Sequence, residues 1–261
     1  MHKKSQETER RNRIEKVSEV LRKFGLVDRF GLNDLFLIED FPTIKTIEKY
    51  IDQNKDYLPT GLSSKYLAKV ILSKIKEPSP ELAAWQHKHG ELFLEFKNIS
   101  TGKRSASTYH NHIFALLKAI FDGFLDNPKK EQSSGNKLGF IDIVFDNIAE
   151  DGFFSRLRRD HNIPCSTIPI ECKNYSDDLT NTEYNQLYSR LKKDCCFGIL
   201  ICRRITDKKK SLAHCKEAIT NNKYMIVLDD NDISLLFNLR KKGKDAEIDN
   251  FWGQKFRDLI L

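Results

Sequence analysis

Apolar residues recur at three- and four-residue steps from Glu7 to Phe24, at Ile14, Val17, Leu21 and Phe24, and Gly25 follows as a stop. That spacing predicts an amphipathic helix, because 3.6 residues per turn bring those positions onto one face. The same period returns over Ile44–Ile51 and over Tyr66–Ile75, the latter with Ser63 and Ser64 as candidate N-caps. The chain up to Ile75 thus reads as a small all-helical unit. Two closely spaced helices fit a helix-turn-helix, although ordinary helix packing is the commoner cause of such a pattern. Pro78-Ser79-Pro80 punctuates the end of this stretch and sets candidate domains at residues 1–78 and 79–261.

Beyond that boundary the texture changes. Tyr109–Leu125 predicts a long helix through Ile113, Leu116, Leu117, Ile120, Phe121 and Phe124, stopped by Asn127-Pro128. Short runs rich in Ile, Val and Phe follow at Phe140–Phe145, Thr167–Ile170, Phe197–Cys202 and Tyr224–Leu228. Helical periods over Thr182–Leu191, Lys208–Ile219 and Ile233–Leu239 separate and follow the later runs. Helices alternating with strands predict an α/β domain with a central mixed sheet flanked by helices.

Composition narrows the function classes. Of the 261 residues 39% are hydrophobic, enough for a sizeable core, which excludes global disorder. No apolar run approaches the roughly 18 residues of a membrane span, and the first residues lack the apolar centre of a secretory signal. The expectation is a cytoplasmic protein whose six cysteines are reduced thiols. His87/His89 and His110/His112 have close spacing but stand apart from the cysteines, which argues against a zinc site. The 44 Lys and Arg outnumber the 37 Asp and Glu, a net charge of +7, yet the two signs are interspersed with no polybasic tail. A fold that gathers separated cations is needed before that surplus marks a nucleic-acid partner.

The most informative chemistry lies in Gly139-Phe-Ile-Asp142-Ile-Val-Phe145 and Ile168-Pro-Ile-Glu171-Cys-Lys173. Side chains alternate across a strand, so Ile141, Ile143 and Phe145 share one face and leave Asp142 on the other. In the second run Ile168, Ile170 and Cys172 form the apolar face and leave Glu171 and Lys173 opposite. If the strands are neighbours with apolar faces aligned, Asp142, Glu171 and Lys173 converge. Two carboxylates repel unless a cation sits between them, and hard oxygen ligands suit Mg²⁺ or Mn²⁺. Such an ion acidifies a bound water and offsets charge on an attacked phosphodiester, while a lysine orients the water or stabilises the phosphorus centre.

These residues resemble the PD-(D/E)xK superfamily of restriction-endonuclease-like nucleases. Asp142 matches its first acid and Glu171-Cys172-Lys173 its tripeptide, within an αβββαβ core that the resemblance lays over roughly residues 106–205. It implies a Mg²⁺- or Mn²⁺-dependent endonuclease acting on DNA, with Asp142, Glu171 and Glu131 as metal ligands, Lys173 as the water-orienting group, and Gln186 assisting from the following helix. Restriction, anti-phage defence or DNA repair is the implied setting, and double-strand cleavage implies a homodimer or an assembly with a partner protein. A non-catalytic nucleic-acid-binding module of the same fold, and an RNase or nucleotide-gated effector, are the alternatives.

The chain departs from the family pattern in three ways. Ile141 stands where a proline would precede the first acid, Arg190 follows Gln186 where some branches have tyrosine, and the distance from Asp142 to Glu171 predicts an inserted helix over Gly152–Arg159. Arg156, Arg158 and Arg159 on that insertion, and Gln186 with Arg190, are candidates for backbone phosphate contacts. Asp146, two pleats beyond Asp142, is an alternative or additional ligand. Two other acid-x-Lys triplets, Glu95-Phe96-Lys97 and Asp207-Lys208-Lys209, lack an Asp-bearing strand upstream or look like a helix start. Cys172 lies on the apolar face and Cys195-Cys196 lead into a strand, so a thiol nucleophile is disfavoured.

Overall fold

A computed structural model describes residues 2–28, 30–38, 42–133 and 140–261, with side chains described outside residues 2–9, 37–38, 131–133 and 140. Contacts divide the chain into two units, Met1–Ser79 and Pro80–Leu261.

The first unit consists of α1 (His2–Lys23), α2 (Leu32–Ile38), α3 (Ile44–Asp52) and α4 (Ser64–Lys76) around Val17, Leu21, Leu35, Phe36, Ile47, Ile51, Leu67 and Ile71. Gly25 ends α1 at φ +69°, where the Leu26 N–H reaches back to the Leu21 carbonyl. Ser63 caps α4 by accepting the Tyr66 N–H at 3.2 Å, while Ser64 is already helical. At seven residues, α2 is too short to display a period, and sequence pattern passes over it.

The second unit begins with α5 (Pro80–His89), α6 (Leu92–Phe96) and α7 (Ala106–Ile120), followed by β1 (Asp126–Ser133), β2 (Phe140–Asp146), α8 (Gly152–Arg159) and β3 (Thr167–Lys173). It continues with α9 (Asn181–Arg190), β4 (Phe197–Cys202), α10 (Lys208–Ile219), β5 (Tyr224–Leu228), α11 (Asp230–Lys241) and α12 (Asp245–Ile260). The strands form one open mixed sheet in the order β1-β2-β3-β4-β5. β1, β2 and β3 pair antiparallel. β3, β4 and β5 pair parallel, because the crossover helices α9 and α10 return the chain to the same end of the sheet.

Helices α9 and α10 cover one sheet face, with α7, α11 and α12 on the other. On the α7 side Phe121 meets Phe145, Phe154 and Trp252 at ring separations of 5.5–5.9 Å. Trp252 also stacks on Phe153 at 5.9 Å, so α12 and the inserted helix α8 close the same core. No helix among the described residues is long and apolar enough to cross a membrane.

One boundary differs from the sequence expectation. The helix over Tyr109–Leu125 ends at Ile120, and Asn127-Pro128 lie inside β1 rather than stopping a helix. β1 is an edge strand, where a missing N–H is tolerated, and the register shifts between Asp126 and Lys129 with Asn127 at φ 50°.

On the α9 face, Gly198 of β4 lets the helix approach closely. A Cβ there would stand 3.0 Å from Leu187 and Leu191 and 3.2 Å from the Pro169 carbonyl oxygen. Gly198→Ala is therefore expected to lower unfolding stability by roughly 1–2 kcal/mol through overpacking, read as a reduced urea midpoint at unchanged m-value.

Candidate active site

The pairing of β2 with β3 runs from Asp146↔Thr167 to Ile143↔Ile170 and stops there. At the next position the Asp142 carboxylate takes the place of a ladder bond, its Oδ2 accepting the Cys172 N–H at 2.8 Å. The strands thus part where Asp142 sits beside Glu171, while β3 stays paired with β4 through Lys173↔Cys202. Alternation does the rest: Ile170 and Cys172 are fully buried toward α7, and Glu171 and Lys173 lie on the α9 face.

Glu171 is the buried centre of the site, with 0% of its surface exposed. Gln186 of α9 donates through Nε2 to Glu171 Oε2 at 3.0 Å. Lys173 Nζ stands 3.5 Å from the same oxygen, and Arg190 Nε stands 3.5 Å from Oε1. Oε1 is buried and accepts no hydrogen bond among the described residues. Burial, and then the charge of Asp142, push the Glu171 carboxyl up to about 7 against the opposing pull of Lys173 and Arg190.

Gln186 and Arg190 are four residues apart, so one helix face presents both to the sheet. The helical period carried that signal, but not its target. Arg190 is buried on Glu171 rather than exposed for a phosphate. Glu131 lies on β1 between the pairs Lys130↔Ile143 and Gln132↔Ile141, and its side chain lies outside the described residues.

Several other sequence candidates are placed elsewhere. Asp146 is four positions along β2 from Asp142, about 13 Å at strand rise, and accepts from Asn127 Nδ2 at 2.7 Å. It is therefore not an additional ligand at the pair. The predicted inserted helix is present as α8, but Arg156 pairs with Asp249 at 2.8 Å and Arg158 donates to the Asn147 and Ala149 carbonyls. These two are committed to holding the insertion rather than to phosphates. Glu95 lies on α6 and Asp207 caps α10, so neither decoy triplet is on a strand. All six cysteines are free, and burial raises Cys165 to about 11 and Cys202 and Cys215 to about 12, far from thiolate chemistry.

Among the described residues no group of three or more His, Cys, Asp or Glu is placed to hold a metal. The Asp142–Glu171 pair nonetheless fits Mg²⁺ or Mn²⁺. Such an ion is commonly held by one or two carboxylates and keeps several waters, and Glu171 Oε1, which faces Arg190 at 3.5 Å, accepts no hydrogen bond among the described residues.

Comparison with protein-family models, curated proteins and solved structures finds no match.

Proposed function

We propose that the chain is a metal-dependent endonuclease that hydrolyses DNA phosphodiester bonds, built on a restriction-endonuclease-like αβββαβ core with α8 inserted. The observation that carries this reading is the parting of β2 and β3 at Asp142, beside a buried Glu171 whose Oε1 accepts no hydrogen bond among the described residues, with Lys173 two residues on. The order α7, β1, β2, β3, α9, β4, with three antiparallel strands and then a parallel one, supports the core assignment.

In this scheme Asp142 and Glu171 hold Mg²⁺ or Mn²⁺, which when bound activates a water and offsets charge on the attacked phosphate. Gln186 fixes the Glu171 carboxylate by donating to Oε2, and Oε1, which accepts no hydrogen bond among the described residues and has Arg190 Nε 3.5 Å away, would turn to the cation. Arg190 and Lys173 favour the ionised carboxylate that a cation needs. Lys173, 12% exposed and 3.5 Å from Glu171 Oε2, would orient the attacking water or stabilise the charge that develops on the phosphoryl oxygens. A homodimer or partner assembly would supply the second site for double-strand cleavage, and restriction, anti-phage defence or repair would be the setting.

Incubation of supercoiled plasmid with the protein and millimolar Mg²⁺ or Mn²⁺ is expected to yield nicked and linear DNA, and EDTA to stop it. Absence of metal-dependent cleavage under conditions where the plasmid is bound would overturn the proposal. Cleavage of RNA alone would move the substrate from DNA to RNA.

A further inference from the structure

The segment between α6 and α7 is fastened to the end of the catalytic strand. Asn174, the residue after Lys173 and only 2% exposed, donates through Nδ2 to the carbonyls of Ser100 at 3.1 Å and Gly102 at 3.0 Å. The Gly102 N–H returns a bond to the Asn174 carbonyl at 2.8 Å, from a φ of 103° that favours glycine. Arg203, which follows Cys202 at the end of β4, donates to the Ile99 carbonyl at 2.8 Å. Its guanidinium is itself held by Asp230 at 3.1 Å and by the Tyr109 ring at 4.9 Å.

Surface loops ordinarily leave their backbone to water. Here two buried or half-buried side chains bind three backbone carbonyls, of Ile99, Ser100 and Gly102, in a loop whose next two residues, Lys103 and Arg104, are exposed. Lys103 is one Cα step, about 3.8 Å, from the Gly102 anchored beside Lys173. Neither cation makes an ion pair or side-chain hydrogen bond among the described residues, whereas Arg156, Arg203, Arg240, Lys244 and Lys255 each face a carboxylate. Residues 96–121 contain Lys97, Lys103, Arg104 and Lys118 and no Asp or Glu. The segment therefore brings cations and no acid of its own to the end of β3.

We propose, resting on the nuclease reading of the adjacent carboxylate pair, that Lys103 and Arg104 form a rigid arm that grips backbone phosphates of DNA flanking the scissile bond, with Asn174 and Arg203 as its positioning residues. A loop whose backbone is already fixed loses little further backbone entropy on binding a polyanion, and phosphate contacts set register without reading bases.

Lys103→Ala/Arg104→Ala is compared with the parent chain and with Lys241→Ala/Lys242→Ala, an exposed pair at the far end of α11. Anisotropy of a labelled DNA duplex in EDTA, from about 50 to 200 mM salt, is expected to show the slope of log K against log salt falling by about two for the loop variant. The control slope stays at the parent value, and thermal stabilisation by Mg²⁺ is the same in all three proteins. An unchanged slope in the loop variant overturns the arm even where the parent cleaves DNA. A parent that binds without cleaving, with the slope loss present, upholds the arm and overturns the nuclease reading. Equal losses in both pairs, or DNA binding by none of the proteins, also overturn the arm.

Discussion

Glu171→Gln is expected to abolish Mg²⁺-dependent plasmid cleavage, a loss of at least about a hundredfold, while raising the metal-free Tm at pH 8. The two effects have one cause. A carboxylate with no exposed surface, next to Asp142, is disfavoured in its charged form, which is why its proton is held to about 7. The amide keeps the shape and removes the charge, so the fold gains what the cation site loses. Lys173→Ala is expected to lose cleavage to a similar extent but to lower Tm, because it deletes one of the two cations that offset the ionised Glu171. Opposite stability shifts with the same loss of cleavage separate a chemical role from misfolding. Full cleavage by either variant rejects the site assignment.

In metal-free solution, stability is expected to fall as pH rises from about 4 to about 7 and to level off above. Burial raises Glu171 from 4.5 to about 7, and burial raises Asp230 from 3.8 to about 6 despite the hydrogen bond from Tyr109 and the pairing with Arg203. Both carboxyls therefore hold protons more tightly in the folded chain than in the unfolded one. The stability they contribute is full below their unfolded values and is lost as pH climbs through the folded ones. Mg²⁺ competes with the Glu171 proton, so its stabilising effect grows across pH 6–8. At a hundred times its Kd the ion contributes about 2.7 kcal/mol, a Tm rise of roughly 5–10 °C for a unit of this size. In Glu171→Gln the decline should end near pH 6, where Asp230 alone remains, and the Mg²⁺ effect should vanish. A parent Tm at pH 8 that is indifferent to millimolar Mg²⁺ and Mn²⁺ counts against the cation site.

Much of the second unit was legible because periodicity is local. The strand runs at Phe197–Cys202 and Tyr224–Leu228 and the helix at Lys208–Ile219 stand where their patterns put them. The inserted helix was legible from the length between Asp142 and Glu171. The C-terminal helix α12 was passed over, although Ile248, Trp252, Phe256 and Leu259 carry an equally plain signal. The bulge in β1 was not legible, since Asn127-Pro128 has the same composition whether it stops a helix or sits on a sheet edge.

By itself the sequence determined which faces are apolar, and hence that Asp142, Glu171 and Lys173 project away from the side on which Ile143, Ile170 and Cys172 pack. Alternation along a strand depends only on neighbouring residues. The tertiary structure alone decided how deep those charges lie, that Arg190 turns inward to Glu171, that Asp146 stands apart, and that Asn174 fastens a loop 72 residues away. Burial and partner choice depend on which distant segments the fold brings together, and α9 reaches Glu171 only because Gly198 lets it lie close against the sheet.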